Sequence, residues 1–325
     1  MDIGSLLQDT CPGNLEGMSL YFFMTLLNSL MSSKCKLANP NDYTEDYAPR
    51  LKDGDEFDFI VVGSGSAGAV VANKLSENPN WRVLVLEAGG YPSATSDIPA
   101  LLFSASGTEE DWQYRTQPSP HSCLGFKDEQ CRWPRGKALG GSSILNAMMY
   151  IKGNKRDYET WEALGNTGWG WDTVKEYFKK LENMHVQGVS DQYGRDGYMF
   201  LNRFISGVFL ENLLGTSPLK MHDPQILQLD LPECNTFEFR SDDYWKCSLR
   251  YLTTTVYHPT GTCKMGPTDD GTAVVDPELR VFGINKLRVA DASIMPNIVS
   301  ANTHAPTMMI GYKAGLMISE YWNGK

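Results

Sequence analysis

The sequence predicts an α/β protein whose main part is a doubly wound, Rossmann-like dinucleotide-binding domain. Three observations carry this prediction: a glycine turn between two apolar strands, a second glycine-rich block, and a C-terminal block that ends in an apolar helix. A reduced α+β substrate domain is expected in the middle of the chain. With 325 residues, 42% of them hydrophobic, the chain is long enough for about two domains with a packed core.

The first element is a strand–turn–helix–strand unit between residues 58 and 90. Phe59–Val62 is a short apolar run, typical of a strand buried on both faces, and residues 82–86 supply the second strand. Residues 67–75 are predicted as the intervening helix, with N-terminal N–H groups that face phosphates. Glu87 ends the second strand, where it can accept hydrogen bonds from ribose hydroxyls. The G-x-G-x-x-G positions of the turn are Gly63, Gly65 and Gly68.

The second element is the glycine-rich segment 135–150, for which a nicotinamide dehydrogenase has no obvious use. Gly140 and Gly141 remove side chains where the backbone must come close to a flat or charged group. Ser143 offers a hydroxyl and Asn146 a two-sided amide. This block therefore bears on which dinucleotide is bound.

The third element is the C-terminal block, which begins with a predicted strand at residues 286–293 that ends in an acidic residue and small residues. It leads to His304 and to an apolar helix predicted from residue 307 to about residue 321. Pro306 suits the first position of that helix. The N-terminus of the helix is therefore expected beside His304.

Together the three blocks resemble the glucose–methanol–choline (GMC) oxidoreductases, which are FAD-dependent enzymes that oxidise alcohols and sugars. The segments DFIVVGSGSAG, RGKALGGSSILNAMMYIKG and HPTGTCKMG carry the resemblance, which is closest to the insect glucose-dehydrogenase-like branch. The resemblance implies FAD as the cofactor and a small alcohol or sugar as the substrate. It also implies a quinone or another electron acceptor as the partner.

The resemblance also implies roles for individual residues. His258, in the motif YHPTGT, matches the catalytic base or acid of the family, and an imidazole can take a proton from an alcohol near neutral pH. His304 matches a position, histidine or asparagine in the family, that hydrogen-bonds the substrate oxygen. The implied cofactor contacts are Gly63, Gly65, Ser66, Gly68, Glu87 and Ala88 for the ADP half, Arg135, Leu139, Gly140, Gly141, Ser143, Asn146, Ala147 and Met148 for the diphosphate and isoalloxazine, and Asp291 and Ala292 for the ribityl–phosphate region.

The same resemblance indicates a large internal deletion. Family members are roughly twice as long, and their second motif, of the type GS-PQ-LL-SGIG, is expected between Leu201 and Leu231, where this sequence lacks it. The predicted division of the chain is a lead-in segment (1–54), the first part of the FAD-binding domain (55–155), a remnant of the substrate domain (156–250) and the C-terminal part of the FAD domain (251–325).

Charge and hydropathy limit the partners. A formal net charge of −10 and a pI near 5.0 argue against nucleic acid. Residues 18–31 are the only long apolar stretch; they are too few to span a bilayer and are predicted as an amphipathic helix docked on the core. Acidic residues precede this stretch where a signal peptide needs positive charge. An extracellular location is expected from the family resemblance.

The seven cysteines form three close pairs and one odd residue, which is typical of an exported protein. Reduced, buried cysteines in a cytosolic protein are the alternative. No spacing such as C-x-x-C predicts a metal site. The expected pairs are Cys11 with Cys35, Cys123 with Cys131, and Cys234 with Cys247, which leaves Cys263 unpaired.

Three functions stay open at this point. The first is an FAD-dependent oxidoreductase acting on CH–OH groups of alcohols or sugars, with electrons passed to a quinone or other acceptor. The second is a truncated, catalytically inactive isoform or fragment of the family. The third is a nicotinamide-dependent dehydrogenase, which leaves the second glycine block and residues 291–304 without a role. Yellow colour on purification distinguishes the first two.

Overall fold

The computed structural model describes residues 43–324, apart from residues 97, 99–100, 102, 187–191, 202–230, 240 and 253–254. The predicted helix at residues 18–31, the Cys11–Cys35 pair and the region of the expected deletion lie outside the described residues. The helices are α1 (Gly68–Ser76), α2 (Lys155–Ala163), α3 (Trp171–Leu181), α4 (Asp242–Leu252) and α5 (His304–Asn323). The strands are β1 (Phe59–Val62), β2 (Val83–Leu86), β3 (Tyr114–Arg115), β4 (Arg132–Trp133), β5 (Glu182–Met184) and β6 (Met199–Leu201).

The strand–turn–helix–strand unit predicted from the sequence is present. Strand β1 pairs in parallel with β2, with Phe59 opposite Val83 and Val62 opposite Leu86. Helix α1 connects the two strands and begins one residue later than predicted, at Gly68. Short 3₁₀ turns complete the backbone at Ala48–Arg50, Lys127–Glu129, Gly141–Ile144 and Ala292–Ile294.

The prediction that β1 is buried on both faces was wrong. Phe59 and Val61 are half-buried, whereas Ile60 is 59% exposed and Val62 is 81% exposed. Within the described residues the parallel sheet has two strands, and no helix covers the face that carries Ile60 and Val62. Burial on both faces requires layers on both sides of a sheet, and those layers come from distant parts of a chain.

Helix α5 anchors the unit because it lies directly against α1. The backbones approach so closely that a Cβ on Gly311 would lie 2.5 Å from the carbonyl oxygen of Ala67. Val71 and Leu75 of α1 share one apolar core with Met309 and Ile310 of α5. This packing places the N-terminal ends of both helices at the same side of the sheet as the glycine turn.

The C-terminal block differs from its prediction in two places. Residues 286–293 form no strand; Arg288 makes a single isolated bridge with Arg280, and a 3₁₀ turn follows at Ala292–Ile294. The segment has strand-like composition but no neighbouring strand to pair with in the described part of the chain. Helix α5 begins at His304, so Pro306 is its third residue, a position whose N–H also has no intrahelical acceptor.

Both expected disulfides that fall in the described residues are formed, between Cys123 and Cys131 and between Cys234 and Cys247. Their Cα atoms are 5.5 and 5.6 Å apart. Cys263 is free, as expected from the pairing of the other cysteines. Across the residues that the structure covers, no helix combines the length and the apolar character that a bilayer crossing demands.

The uneven burial of the βαβ unit leads to a stability prediction. Leu75→Ala is expected to lower the free energy of unfolding by about 2–5 kcal/mol, because Leu75 is 1% exposed and its loss leaves a cavity. Ile60→Thr is expected to change it by less than about 0.5 kcal/mol, because Ile60 faces solvent. Urea unfolding followed by far-UV circular dichroism measures both. Equal losses in the two variants would show that the face of β1 carrying Ile60 is covered in solution.

Candidate functional site

The glycine turn between β1 and α1 is shaped to receive an anion. Gly63 has a φ of +91°, a backbone conformation that residues with a side chain rarely adopt. A Cβ on Gly68 would overlap the carbonyl oxygen of Gly63. The N–H groups of Gly65, Ser66 and Ala67 donate to no acceptor in the described parts of the chain. Free N–H groups at the start of a helix, together with the helix dipole, favour a bound phosphate.

The second glycine block packs directly on this turn. A Cβ on Gly141 would lie 2.8 Å from the Cα of Gly65, and both Gly140 and Gly141 have positive φ, at +100° and +53°. The N–H of Gly140 donates to the carbonyl of Ser64 at 3.2 Å, and that of Leu139 donates to the carbonyl of Gly90 at 2.8 Å. The two glycine blocks therefore form one continuous backbone surface.

Glu87 follows β2, where the sequence predicted it, and holds the turn in place. Its Oε2 accepts hydrogen bonds from the backbone N–H of Ser64 at 2.9 Å and from the Ser64 hydroxyl at 2.8 Å, while Oε1 accepts from the N–H of Gly89 at 3.0 Å. Burial raises the pKa of Glu87, but hydrogen bonds from Gly89, Ser64 and Ala88 outweigh that effect and lower it. The carboxylate is therefore ionised at neutral pH. Its contact with a ribose stays a prediction.

His258 lies half-buried in a cavity between the glycine blocks and the C-terminal block. Its Nε2 is 3.3 Å from Nδ2 of Asn302. Because the amide nitrogen can only donate, this contact assigns an unprotonated Nε2 and a proton on Nδ1. Burial and the positive charge of Arg135 lower the pKa of His258 below its usual range. The ring is therefore a neutral proton acceptor at neutral pH.

The loop that carries His258 is tied to the segment that precedes α5. The N–H of Gly261 donates to the carbonyl of Ala292 at 3.4 Å, and that of Cys263 donates to the carbonyl of Ser293 at 2.9 Å. Asp291, at the cavity wall, accepts a hydrogen bond from the N–H of Ser293 at 2.7 Å and so caps the 3₁₀ turn Ala292–Ile294. These bonds fix His258 relative to Asp291 and Ala292.

His304 is the first residue of α5 and contacts the second glycine block rather than His258. Its Nε2 is 3.0 Å from the hydroxyl of Ser143, which is 2.7 Å from the hydroxyl of Ser66. Burial lowers the pKa of His304 to about 4, so the imidazole is neutral at neutral pH.

The side chain that contacts His258 is that of Asn302, a residue that the sequence analysis did not name as a candidate. The sequence could have indicated Asn302, because the second active-site position of the family resemblance is histidine or asparagine and both occur in the stretch Asn302-Thr303-His304.

Arg135 brings a positive charge to the cavity wall. It is half-buried, and its guanidinium forms no ion pair with any described residue. Burial lowers the pKa of Arg135, while the charge of Asp291 acts in the opposite direction. A half-buried guanidinium that makes no direct ion pair keeps its N–H donors available to an anion or a carbonyl oxygen.

The cavity has a volume of about 2210 Å³, larger than the 300–1,000 Å³ usual for a small-molecule site. The exposed face of β1, with Ile60 and Val62, and the apolar residues Phe282 and Ile284 form part of its wall. The predicted site residues that line it are Gly63, Gly65, Ser66, Gly68, Arg135, Asn146, Ala147, Met148, His258, Asp291, Ala292 and His304.

Six predicted residues do not line the cavity: Glu87, Ala88, Leu139, Gly140, Gly141 and Ser143. Of these, Ser143 contacts two lining residues, because its hydroxyl bonds to Ser66 and His304, and Glu87 holds Ser64 of the glycine turn. Asn146 lines the cavity but uses its Oδ1 locally, because that atom accepts the N–H of Met148 at 2.7 Å. Met148 has a φ of +54°, which marks a tight turn at the cavity wall.

Comparison with protein-family models finds two matches described as GMC oxidoreductase. The N-terminal model matches residues 57–208 and the C-terminal model residues 208–311. Glucose dehydrogenase [FAD, quinone] of Drosophila melanogaster is 42% identical over 195 residues, which are 60% of this chain and 30% of that protein.

Two other relatives match a shorter part of the chain. Alcohol dehydrogenase [acceptor] of Pseudomonas putida is 42% identical over 145 residues, 43% of this chain and 25% of that protein. Mitochondrial choline dehydrogenase of Mus musculus is 40% identical over 158 residues, 46% of this chain and 26% of that protein. The chain spans less than a third of the length of these curated relatives.

Among solved structures, pyridoxine 4-oxidase from Mesorbium loti superimposes with a TM-score of 0.64 at 17% sequence identity. The match covers 82% of this chain and 99% of that chain. At this identity the likeness shows the fold alone. Together with the family models, it confirms the predicted fold class, an α/β protein with a Rossmann-like dinucleotide-binding domain.

Proposed function

The chain belongs to the GMC oxidoreductase family, whose cofactor is FAD, and from this premise we propose that it oxidises the CH–OH group of a small alcohol or sugar. The observation that carries the proposal is the pair formed by His258 and Asn302, with Nε2 and Nδ2 3.3 Å apart at the wall of a large cavity. Both glycine blocks line or support the same cavity.

The residues present fit FAD. The contact between Gly65 and Gly141 leaves no room for a side chain on Gly141, so the backbone itself forms the surface there. The free N–H groups of Gly65, Ser66 and Ala67 suit the diphosphate, and Arg135 suits an anionic or carbonyl oxygen. Asn146 Nδ2 and the Asp291 carboxylate add polar groups to the lining of the same cavity. This combination of N–H donors, a guanidinium and a carboxylate acceptor suits a dinucleotide.

The chain's own contribution to the reaction is proton transfer and orientation. A substrate hydroxyl that replaces the direct bond between His258 and Asn302 would give its proton to Nε2 of His258 and accept a hydrogen bond from Nδ2 of Asn302. FAD, when bound, supplies the acceptor for the hydride that leaves the carbon bearing that hydroxyl. We therefore assign the contact with the substrate oxygen to Asn302. The sequence interpretation had given this role to His304.

The substrate and the electron acceptor are inferred from the relatives. Their names include glucose, alcohol and choline, which share a primary or ring hydroxyl group as the reacting function. Glucose dehydrogenase [FAD, quinone] of Drosophila melanogaster matches the largest part of the chain among these three. We accordingly propose a sugar or small alcohol as the substrate and a quinone-type acceptor for the electrons.

The disulfides support an extracellular location. Cys123 and Cys131 close a short loop beside β4, and Cys234 and Cys247 join the start of the C-terminal part to α4. Disulfides persist in oxidising compartments and are rare in the cytosol. Export of the protein would provide the conditions in which both bonds form.

A second function is favoured by the size of the cavity and by the exposed apolar face of β1: FAD binding without turnover. Substrate positioning is worth roughly 7–11 kcal/mol of activation free energy, and it depends on walls that surround the substrate. In the described part of the chain the cavity extends from His258 to the exposed side chains of Ile60 and Val62. In that case the chain keeps the cofactor site of the family and lacks its catalytic rate.

One experiment separates these functions. The purified protein is examined for flavin absorbance, the flavin is released by denaturation and identified, and dye reduction is measured with glucose, simple alcohols and choline. Drosophila melanogaster glucose dehydrogenase serves as the positive control. Flavin with substrate-dependent turnover supports the oxidoreductase, and flavin without turnover supports the second function. Tight NAD binding without flavin would overturn both.

A further inference from the structure

Two hydroxyl groups and one imidazole ring form a continuous hydrogen-bonded chain at the cavity wall. The Ser66 hydroxyl is 2.7 Å from the Ser143 hydroxyl, which is 3.0 Å from Nε2 of His304. Ser66 belongs to the glycine turn, Ser143 to the second glycine block and His304 to the start of α5. Ser66 and His304 both line the cavity, and Ser143 bridges them from behind. This hydrogen-bonded chain of side chains therefore connects two points of one cavity wall.

The far end of this chain also faces the cavity. Nδ1 of His304 has no hydrogen-bond partner among the described residues. It is also not one of the side-chain atoms that are both buried and without a partner, so Nδ1 itself is not buried. It is therefore accessible from the cavity that His304 lines. The imidazole is neutral because burial lowers its pKa to about 4, so one ring nitrogen donates and the other accepts.

The direction of the hydrogen bonds follows from what Ser66 does. A phosphate oxygen can only accept, so a Ser66 hydroxyl that binds one must point its proton at the anion. The Ser66 oxygen then accepts from Ser143, and the Ser143 oxygen can accept from Nε2–H of His304. Nδ1 is left without a proton and becomes an acceptor toward the cavity. Each group has one proton to donate, which couples the three orientations.

We propose that an anionic oxygen bound at Ser66 sets the tautomer of His304 through Ser143, so that Nδ1 accepts hydrogen bonds from a ligand in the cavity. The inference rests on the proposed function in one respect, because the cofactor diphosphate is the expected anion. His304 is then a positioning residue for a ligand O–H or N–H group, while His258 receives the proton of the reaction.

The test is nitrogen NMR of protein labelled with ¹⁵N-histidine and loaded with FAD. The sequence has 5 histidines, and the His304→Gln variant identifies the signal of His304 by its loss. The expected result for the loaded protein is a protonated Nε2 and an unprotonated Nδ1. In loaded Ser66→Ala the anion is uncoupled from Ser143, and we expect a population with a protonated Nδ1 to appear.

Ser142→Ala is the matched control, since the Ser142 hydroxyl accepts the N–H of Gly136 at 3.1 Å and takes no part in the chain. We expect its His304 signal to equal that of the unmodified protein. A protonated Nδ1 in the loaded protein, or identical His304 signals with and without the Ser66 hydroxyl, would overturn the proposal.

Failure of the proposed function has a different signature. If the protein takes up no flavin, ADP replaces FAD as the anion in the same NMR comparison. A Ser66-dependent change of the His304 signal on ADP addition would support the coupling without FAD chemistry, and the absence of a change would reject it. If Ser66→Ala alone fails to take up FAD, ADP at saturating concentration supplies the comparison for that variant.

Discussion

Replacing His258 with alanine is expected to lower turnover by about 10²–10⁴-fold while FAD stays bound, because a general base contributes about that factor. The imidazole lies at the cavity wall with Nε2 beside Asn302, and its pKa is lowered by burial and by Arg135. Alanine removes the proton acceptor and leaves both glycine blocks intact. Steady-state dye reduction and the flavin absorbance of the same samples give the two quantities.

The pH dependence adds a second readout. In the proposed mechanism the neutral form of His258 takes the proton, so kcat/KM should fall as the pH drops through the pKa of His258 in the folded protein. That pKa lies below the ordinary 6.5, which moves the acidic limb to lower pH than an exposed histidine would give. His258→Ala should lack this limb.

His121→Ala is the control for His258→Ala, because His121 is exposed in a loop. We expect it to retain both rate and pH profile. His304→Asn is expected to be milder than His258→Ala, since an amide can still hydrogen-bond in the cavity. An unchanged rate and an unchanged acidic limb in His258→Ala would show that another group takes the proton.

Replacing Gly65 with alanine is expected to weaken FAD binding by at least about tenfold, or about 1.4 kcal/mol, while the protein remains folded. A Cβ on Gly65 would meet the Cα of Gly141 at 3.9 Å, an ordinary contact that the chain itself tolerates. The new methyl group would instead occupy the space where the backbone approaches the diphosphate. Fluorescence titration with FAD measures the affinity, and thermal unfolding of the apoprotein measures the fold.

Gly68→Ala provides the contrast to Gly65→Ala. Its Cβ would overlap the carbonyl oxygen of Gly63, so the turn itself must shift and both stability and FAD binding should fall. Gly54→Ala is a control outside the cavity, where a Cβ would meet no atom within 4 Å and only the φ of +89° strains the new residue. It should lose a little stability and no affinity. Full FAD affinity in Gly65→Ala would place the diphosphate elsewhere.

Local sequence patterns were sufficient for the βαβ unit and for the two disulfides within the described residues. The alternation of an apolar run, a glycine turn and a helix depends on residues close together in the chain, and it was predicted to within one residue at the start of α1. Cys123–Cys131 and Cys234–Cys247 close short loops, so spacing alone indicated them. The choice of FAD over a nicotinamide cofactor came from the family motifs and is confirmed by the family models.

Burial and long-range pairing were not predictable in the same way. Ile60 and Val62 read as core residues, but a strand residue is buried only if another layer covers its face. The segment at residues 286–293 reads as a strand, but a strand needs a partner to satisfy its backbone N–H and C=O groups. In both cases the deciding contact comes from a part of the sheet that local sequence does not describe.

The sequence by itself determined the cofactor class, the glycine turns and the two histidines as candidates for the site. Only the tertiary structure decided what each histidine contacts: Asn302 for His258, and Ser143 for His304. Asn302 and His304 are two residues apart, and the motif fits either one. The orientation of the start of α5 separates them, because packing of that helix against α1 directs the His304 ring to the second glycine block, more than 150 residues away in sequence.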